Sequence, residues 1–215
     1  MTEFSQAAFA ISLKAGRSDS SRDFELAVDF AETLVTSRQN ISPKRLVEPA
    51  PRLDQLRSIF RAAGAAPDHG LLSPWRFVEV PTCKRVELAE VFALSLLDRD
   101  PGATLDQIES AREKAYRAPF LALAIARLGK CEPPIPILER MVSVGAAIQN
   151  MLIVAHSMGY GSGLTSGQAM ESPRMSHLFS LGEGEKAVCF VNIGTVSKSK
   201  APRSRPDYSS YVSTL

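Results

Sequence analysis

The sequence predicts an α+β domain in which a modest sheet packs against helices. Three observations carry that expectation. Runs with strand character are few and separated by helical patterns of uneven length. No regular βαβ alternation, internal repeat or second composition regime divides the chain. Residues 120–128 are almost continuously apolar, as in a strand covered on both faces.

Taken in order, residues 1–22 are small and polar and read as a flexible leader. A single domain with a C-terminal arm is expected over residues 23–215. Its first helix starts near Asp23, with Phe24, Ala27, Val28, Ala31, Leu34 and Val35 at helical spacing, and runs out at Thr36 and Ser37. The loop that follows holds Arg38, Lys44 and Arg45 among small polar residues. It can grip an anion with guanidinium forks or serve as a solvated basic turn. After Pro49 and Pro51, a second helix places Leu53, Leu56, Ile59, Phe60 and Ala63 on one face and ends at Gly64 and Pro67.

Residues 66–77 form a polar loop bracketed by Pro67 and Pro74, with His69 inside and the only tryptophan, Trp75, at its end. A strand follows over 76–80 and a third helix over about 84–97. Thr104, with Gln107 three residues on, reads as a capping box for a charged fourth helix reaching about Tyr116. That helix is either plain surface or a mobile cover over a site. Beyond the apolar strand and a proline-rich loop, residues 136–158 form a long helix, apolar nearly all round in its second half. Such a helix belongs at the centre of one subunit or at a subunit interface. The glycine-rich stretch 159–167 permits close approach to a flat or phosphorylated ligand, or is a helix C-cap with a flexible turn. It matches neither GxGxxG nor GxxxxGK[ST]. Ser172 and Pro173 start a short helix, residues 186–193 form a last strand, and a basic tail holds Arg203 and Arg205.

Composition narrows the function. With 215 residues, 45% of them hydrophobic, the chain can bury one substantial core. A net charge of +2 provides no broad basic field for nucleic acid. The three cysteines, Cys83, Cys131 and Cys189, lie far apart, which suits a reducing cytoplasm better than a disulfide framework. Neither they nor the three histidines have metal-ligand spacing, so no metal site is expected. The start of the chain lacks a signal-peptide pattern. The most hydrophobic window, 141–158, contains Ser143, Gln149, Asn150, His156 and Ser157, and reads as a helix inside a protein, with no membrane span.

Four pieces in order resemble the FMN-dependent nitroreductase family, in particular its short bacterial branch of NAD(P)H nitroreductases. They are Arg38-Gln39-Asn40 after the first helix, Ala66-Pro67-Asp68-His69 leading to Pro74-Trp75-Arg76-Phe77, the glycine-rich turn after the long helix, and Arg203-Ser204-Arg205. Residues 45–51, Arg-Leu-Val-Glu-Pro-Ala-Pro, match a further phrase of that branch. The resemblance spans about residues 23–212.

The resemblance implies an intertwined homodimer with a central mixed or antiparallel sheet, FMN at the subunit interface and a C-terminal arm over the partner. It implies ping-pong chemistry, with NAD(P)H reducing the flavin and a nitroaromatic, quinone or similar small-molecule acceptor reoxidising it. Arg38 then meets the FMN phosphate, with Gln39 in place of a second arginine and Asn40 beside the ribityl chain or ring edge. His69 falls where the branch contacts flavin from the partner subunit. Leu164, Thr165, Ser166 and Gly167 match the segment over one ring face, where a backbone N–H can donate to flavin N5. Arg203 and Arg205 match a basic pair closing on the phosphate. The flavin carries the redox chemistry, so no side chain is assigned as catalytic acid or base. Ala65, Leu71, Ser73, Leu164 and Thr165 depart from the family pattern and make the ring surroundings less polar and less basic. That departure motivates two alternatives: a flavin-binding protein for storage, sensing or flavin breakdown, and a partner-binding dimer that has lost flavin.

Overall fold

The computed structural model describes residues 20–199, 201 and 203–215. The leader expected over 1–22 lies outside them except for residues 20–22, which are helical. The chain forms two units, Met1–Arg38 and Gln39–Leu215. In the first, helix α1 (Ser20–Ser37) begins three residues before the start expected from the apolar spacing. Its Phe24, Leu26 and Phe30 are exposed.

The second unit runs β1 (Leu46–Val47), α2 (Leu53–Ala63), β2 (Trp75–Glu79), α3 (Arg85–Arg99), α4 (Leu105–Glu113), β3 (Phe120–Arg127), α5 (Ile137–Ser157), β4 (Gly161–Thr165), α6 (Pro173–Leu178) and β5 (Glu185–Val196). The sheet order is β1-β5-β3-β2, with β4 also paired to β5. All these strand pairs are antiparallel.

The apolar run of β3 explains the layering. Alternate side chains of a strand point to opposite faces. Phe120, Ala122, Ala124 and Ala126 meet Ile59 and Ala63 of α2 and Val144, Ala147, Ile148, Met151 and Ala155 of α5. Leu121, Leu123 and Ile125 meet Leu88 and Ala89 of α3, Met175 of α6, Phe179 and Phe190 on the other face. The small alanines let α5 lie close on the sheet. By length and composition α5 could cross a membrane, but here its buried residues Ala147, Ile148, Met151, Leu152 and Ala155 join the core formed with α2 and β3. Its N-terminal turns differ, leaving Leu138 and Val142 exposed.

Two buried arginines tie loops to this core. Arg85 donates to the carbonyls of Val80, Ala115 and Pro119 at 2.9, 2.6 and 3.2 Å. Burial pushes its pKa down, partly opposed by the charges of Glu79 and Tyr116. Arg140 donates to the carbonyls of Arg127, Leu128 and Gly129, holding the exit of β3. The capping box at α4 forms as expected, with Thr104 and Gln107 bonding reciprocally.

The main departure from the sequence pattern is β4. Gly159 does close α5 with a positive φ of 85°. Residues 161–165, however, form a strand and not a flexible turn. Their glycines carry no strand propensity, and only tertiary pairing with β5 makes them extended. The two-residue β1 was equally illegible, and β5 continues to Val196 beyond the expected end.

Candidate functional site

β4 is where two separate sequence signals meet. Ile41 N–H donates to the Ser162 carbonyl at 2.8 Å. Asn40 Oδ1 accepts from Leu164 N–H at 3.0 Å, and Asn40 forms an isolated parallel bridge with Ser162. This contact needs Gly163: a Cβ there would overlap the Ile41 carbonyl. The glycine-rich stretch is therefore a backbone seat for the 39–42 loop.

The end of β4 is pinned from β5. Asn192 is 2% exposed. Its Nδ2 donates to Gly163 O at 3.1 Å, Thr165 Oγ1 at 3.0 Å and Phe190 O at 3.2 Å. The chain then leaves the sheet at Ser166 and Gly167, the latter with a φ of 148° that favours glycine. Neither backbone N–H at Ser166 or Gly167 has a partner among the described residues, and both residues are exposed. No heavy atom lies within 4 Å of a Cβ built on Gly167. Two buried side-chain atoms beside the junction, Gln39 Oε1 and Ser162 Oγ, also lack partners. Unmet donors and acceptors around an open turn suit a ligand with a hydrogen-bonding edge and hydroxyl groups. An FMN-like molecule fits that description.

A cavity of about 710 Å³ opens beside the turn, lined by Thr165, Ser166, Gly167 and Asn192 and roofed by α3 and α4. Phe92, Leu96, Met170 and Phe190 make its apolar wall. Arg99, Lys114 and Arg117 make it basic.

The remaining expected site residues lie elsewhere in the chain. His69 Nδ1 lies 2.7 Å from Glu139 Oε2 at the start of α5. Its loop is shaped by Asp68, whose carboxylate accepts from Leu72 and Ser73 N–H. Leu71 and Ser73 hold positive φ values of 54° and 45°, a strained conformation for residues with a Cβ. Arg203 and Arg205 are exposed on the tail. Arg38 is half-buried in the N-terminal unit. The structure thus joins Asn40 to the start of the 164–167 segment, through Leu164.

Sequence reasoning passed over Asn192 and the three cations of the cavity. A lone Asn inside the apolar run of β5 was the available signal for the first, since buried amides demand partners. Nothing local marked the cations, which come from two separate segments.

The antiparallel sheet between α2/α5 and α3/α6, with a glycine strand seating the loop after the first helix, defines a nitroreductase-like fold. The nitroreductase-like protein from Bacillus cereus superposes with a TM-score of 0.74 at 17% identity, covering 86% of this chain and 95% of that one. The FMN-dependent nitroreductase NfnB from Mycobacterium smegmatis, solved in complex with NADPH, gives 0.68 at 15% identity, covering 88% and 99%. Residues 42–195 match the model of the Nitroreductase family. "Putative NAD(P)H nitroreductase YdjA" of Escherichia coli K12 is 34% identical over 170 residues, 78% of this chain and 88% of that protein. The chain belongs to the nitroreductase family.

Proposed function

We propose that this protein is an FMN-dependent oxidoreductase that takes hydride from NAD(P)H and reduces a nitroaromatic, quinone or similar acceptor by a ping-pong mechanism. The single observation that carries the reading is the junction of Asn40 with β4 beside the unmet N–H groups of Ser166 and Gly167. When bound, FMN supplies the two-electron chemistry. The protein's part is to hold and orient. Arg203 and Arg205 would take the phosphate as charge-assisted forks, and the family resemblance gives Arg38 a phosphate-binding role as well. Gln39 and Asn40 face the ribityl chain, and Leu164, Thr165, Ser166 and Gly167 border the ring, with a backbone N–H donated to its edge. His69 reaches the ring from a partner subunit.

The working form is a homodimer. Leu71 is 88% exposed on strained backbone, and Leu138 and Val142 are 80% and 70% exposed on α5. Tyr208, Tyr211 and Val212 leave the tail apolar and uncovered. A second copy would bury these side chains. The three free cysteines suit a cytoplasmic setting.

Visible absorbance of the purified protein tests the reading, followed by anaerobic mixing with NADH or NADPH. Bound FMN bleached by either donor supports it. A colourless protein that takes up no added FMN refutes it, whereas bound FMN that neither donor bleaches points to flavin storage or sensing. Gel filtration tests the dimer: Leu138→Glu with Val142→Glu is expected to halve the apparent mass without unfolding the chain.

A further inference from the structure

We infer that the cavity between α3, α4 and the 165–167 turn selects a substrate carrying a compact oxyanion, a carboxylate or phosphate, on an aromatic body, with Lys114 as the main selector. The inference rests on the proposed oxidoreductase function and adds the substrate class. Its lining includes three cations, Arg99, Lys114 and Arg117, against one carboxylate, Asp106. Three acids of α3 and α4 are already engaged. Glu90 and Glu109 pair with Arg112, and Asp98 pairs with Arg174. Lys114 and Arg99 have no hydrogen-bond or ion-pair partner among the described residues. Arg117 makes only a 3.5 Å contact to the Ser110 carbonyl.

The three cations also crowd one another. Burial, then Arg117, then Arg99 push the Lys114 pKa below its usual value. Three like charges lining a cavity with a single carboxylate among them disfavour the empty site and favour an arriving anion. The inner wall is apolar and aromatic, with Phe92 and Phe190 in edge contact at 5.8 Å between centroids. A ligand with an aromatic body and an anionic head meets both surfaces. The cavity shares Thr165, Ser166 and Gly167 with the turn proposed to border the ring, so a molecule anchored there lies next to the redox centre.

Two sources present this chemistry: an acceptor bearing a carboxylate, or a dinucleotide bearing a 2′-phosphate. Calorimetry on the protein as purified separates them, using 4-nitrobenzoate against nitrobenzene and 2′,5′-ADP against AMP, with wild-type, Lys114→Gln, Lys114→Glu and Lys114→Arg. The wild type is expected to prefer the more anionic member of one pair. Lys114→Glu should weaken that member about five- to tenfold, leave its partner compound within about twofold, and Lys114→Arg should restore it. Loss confined to 4-nitrobenzoate assigns the anion to the acceptor, and loss confined to 2′,5′-ADP assigns it to the hydride donor. Absence of any anionic preference in the wild type, or equal weakening of both members of a pair, overturns the inference. Binding is read without turnover, so failure of flavin reduction with anion preference intact sinks only the proposed function.

Discussion

Replacing Gly163 by alanine tests the junction on which the site rests. The new Cβ would overlap the Ile41 carbonyl and stand 3.4 Å from Asn40 Oδ1. A flexible side chain could turn aside, but a backbone carbonyl cannot, so strand and loop must part by about 1 Å to restore ordinary packing. That separation breaks the 2.8 Å bond from Ile41 N–H to Ser162 O and the 3.0 Å bond from Leu164 N–H to Asn40 Oδ1. Overpacking costs about 1–3 kcal/mol and each lost bond about 1 kcal/mol. Allowing for relaxation, Gly163→Ala should lower unfolding stability by about 2–4 kcal/mol, measured by urea denaturation. The same shift should weaken FMN binding by about 10- to 100-fold in a fluorescence titration, since the walls of the site would no longer be in register. Gly102→Ala is the control: its Cβ would make only an ordinary 3.5 Å contact with Asp100, and stability should stay within about 0.5 kcal/mol. Wild-type urea stability and FMN affinity in Gly163→Ala would show that the close approach constrains nothing and would refute this account of site assembly.

Further outcomes follow from buried charge and thiols. Arg85→Lys cannot reach all three carbonyls that Arg85 joins, and should cost about 2–3 kcal/mol by urea denaturation; an unchanged midpoint would mean water replaces the clamp freely. Hydrogen bonds from Arg76 hold the Glu185 carboxyl down at about 2, from an ordinary 4.5. The resulting stabilisation is complete above the unfolded value near 4.5 and is lost as pH falls toward 2. Fully shielded, the shift would be worth about 3 kcal/mol, but solvent at the edge of the pair reduces this to about 1–2 kcal/mol. Glu185→Gln should therefore flatten the stability difference between about pH 6 and about pH 3, and a difference as steep as wild type would exclude the pair as its source. Burial pushes the Cys189 thiol up to about 11, while Cys83 is exposed. A thiol reagent should modify Cys83 rapidly and Cys189 only after denaturant is added, as read by mass spectrometry of the labelled peptides.

Short-range chemistry made much of this molecule legible. The apolar run of β3, the Thr104–Gln107 box and the Ser172–Pro173 helix start are encoded within a few residues, because turns, caps and short apolar runs are local. The family resemblance was legible too, through phrases in fixed order. Tertiary structure alone decided that a glycine-rich stretch becomes a strand, since residues 161–165 become extended by pairing with β5, and Gly163 is required by a carbonyl 122 positions earlier. It also decided that Arg99, Lys114 and Arg117 share one cavity with Thr165 and Asn192. Sequence periodicity reports which face of an element is apolar. It does not report which distant backbone or charge will arrive opposite, because that depends on the packing of the whole sheet.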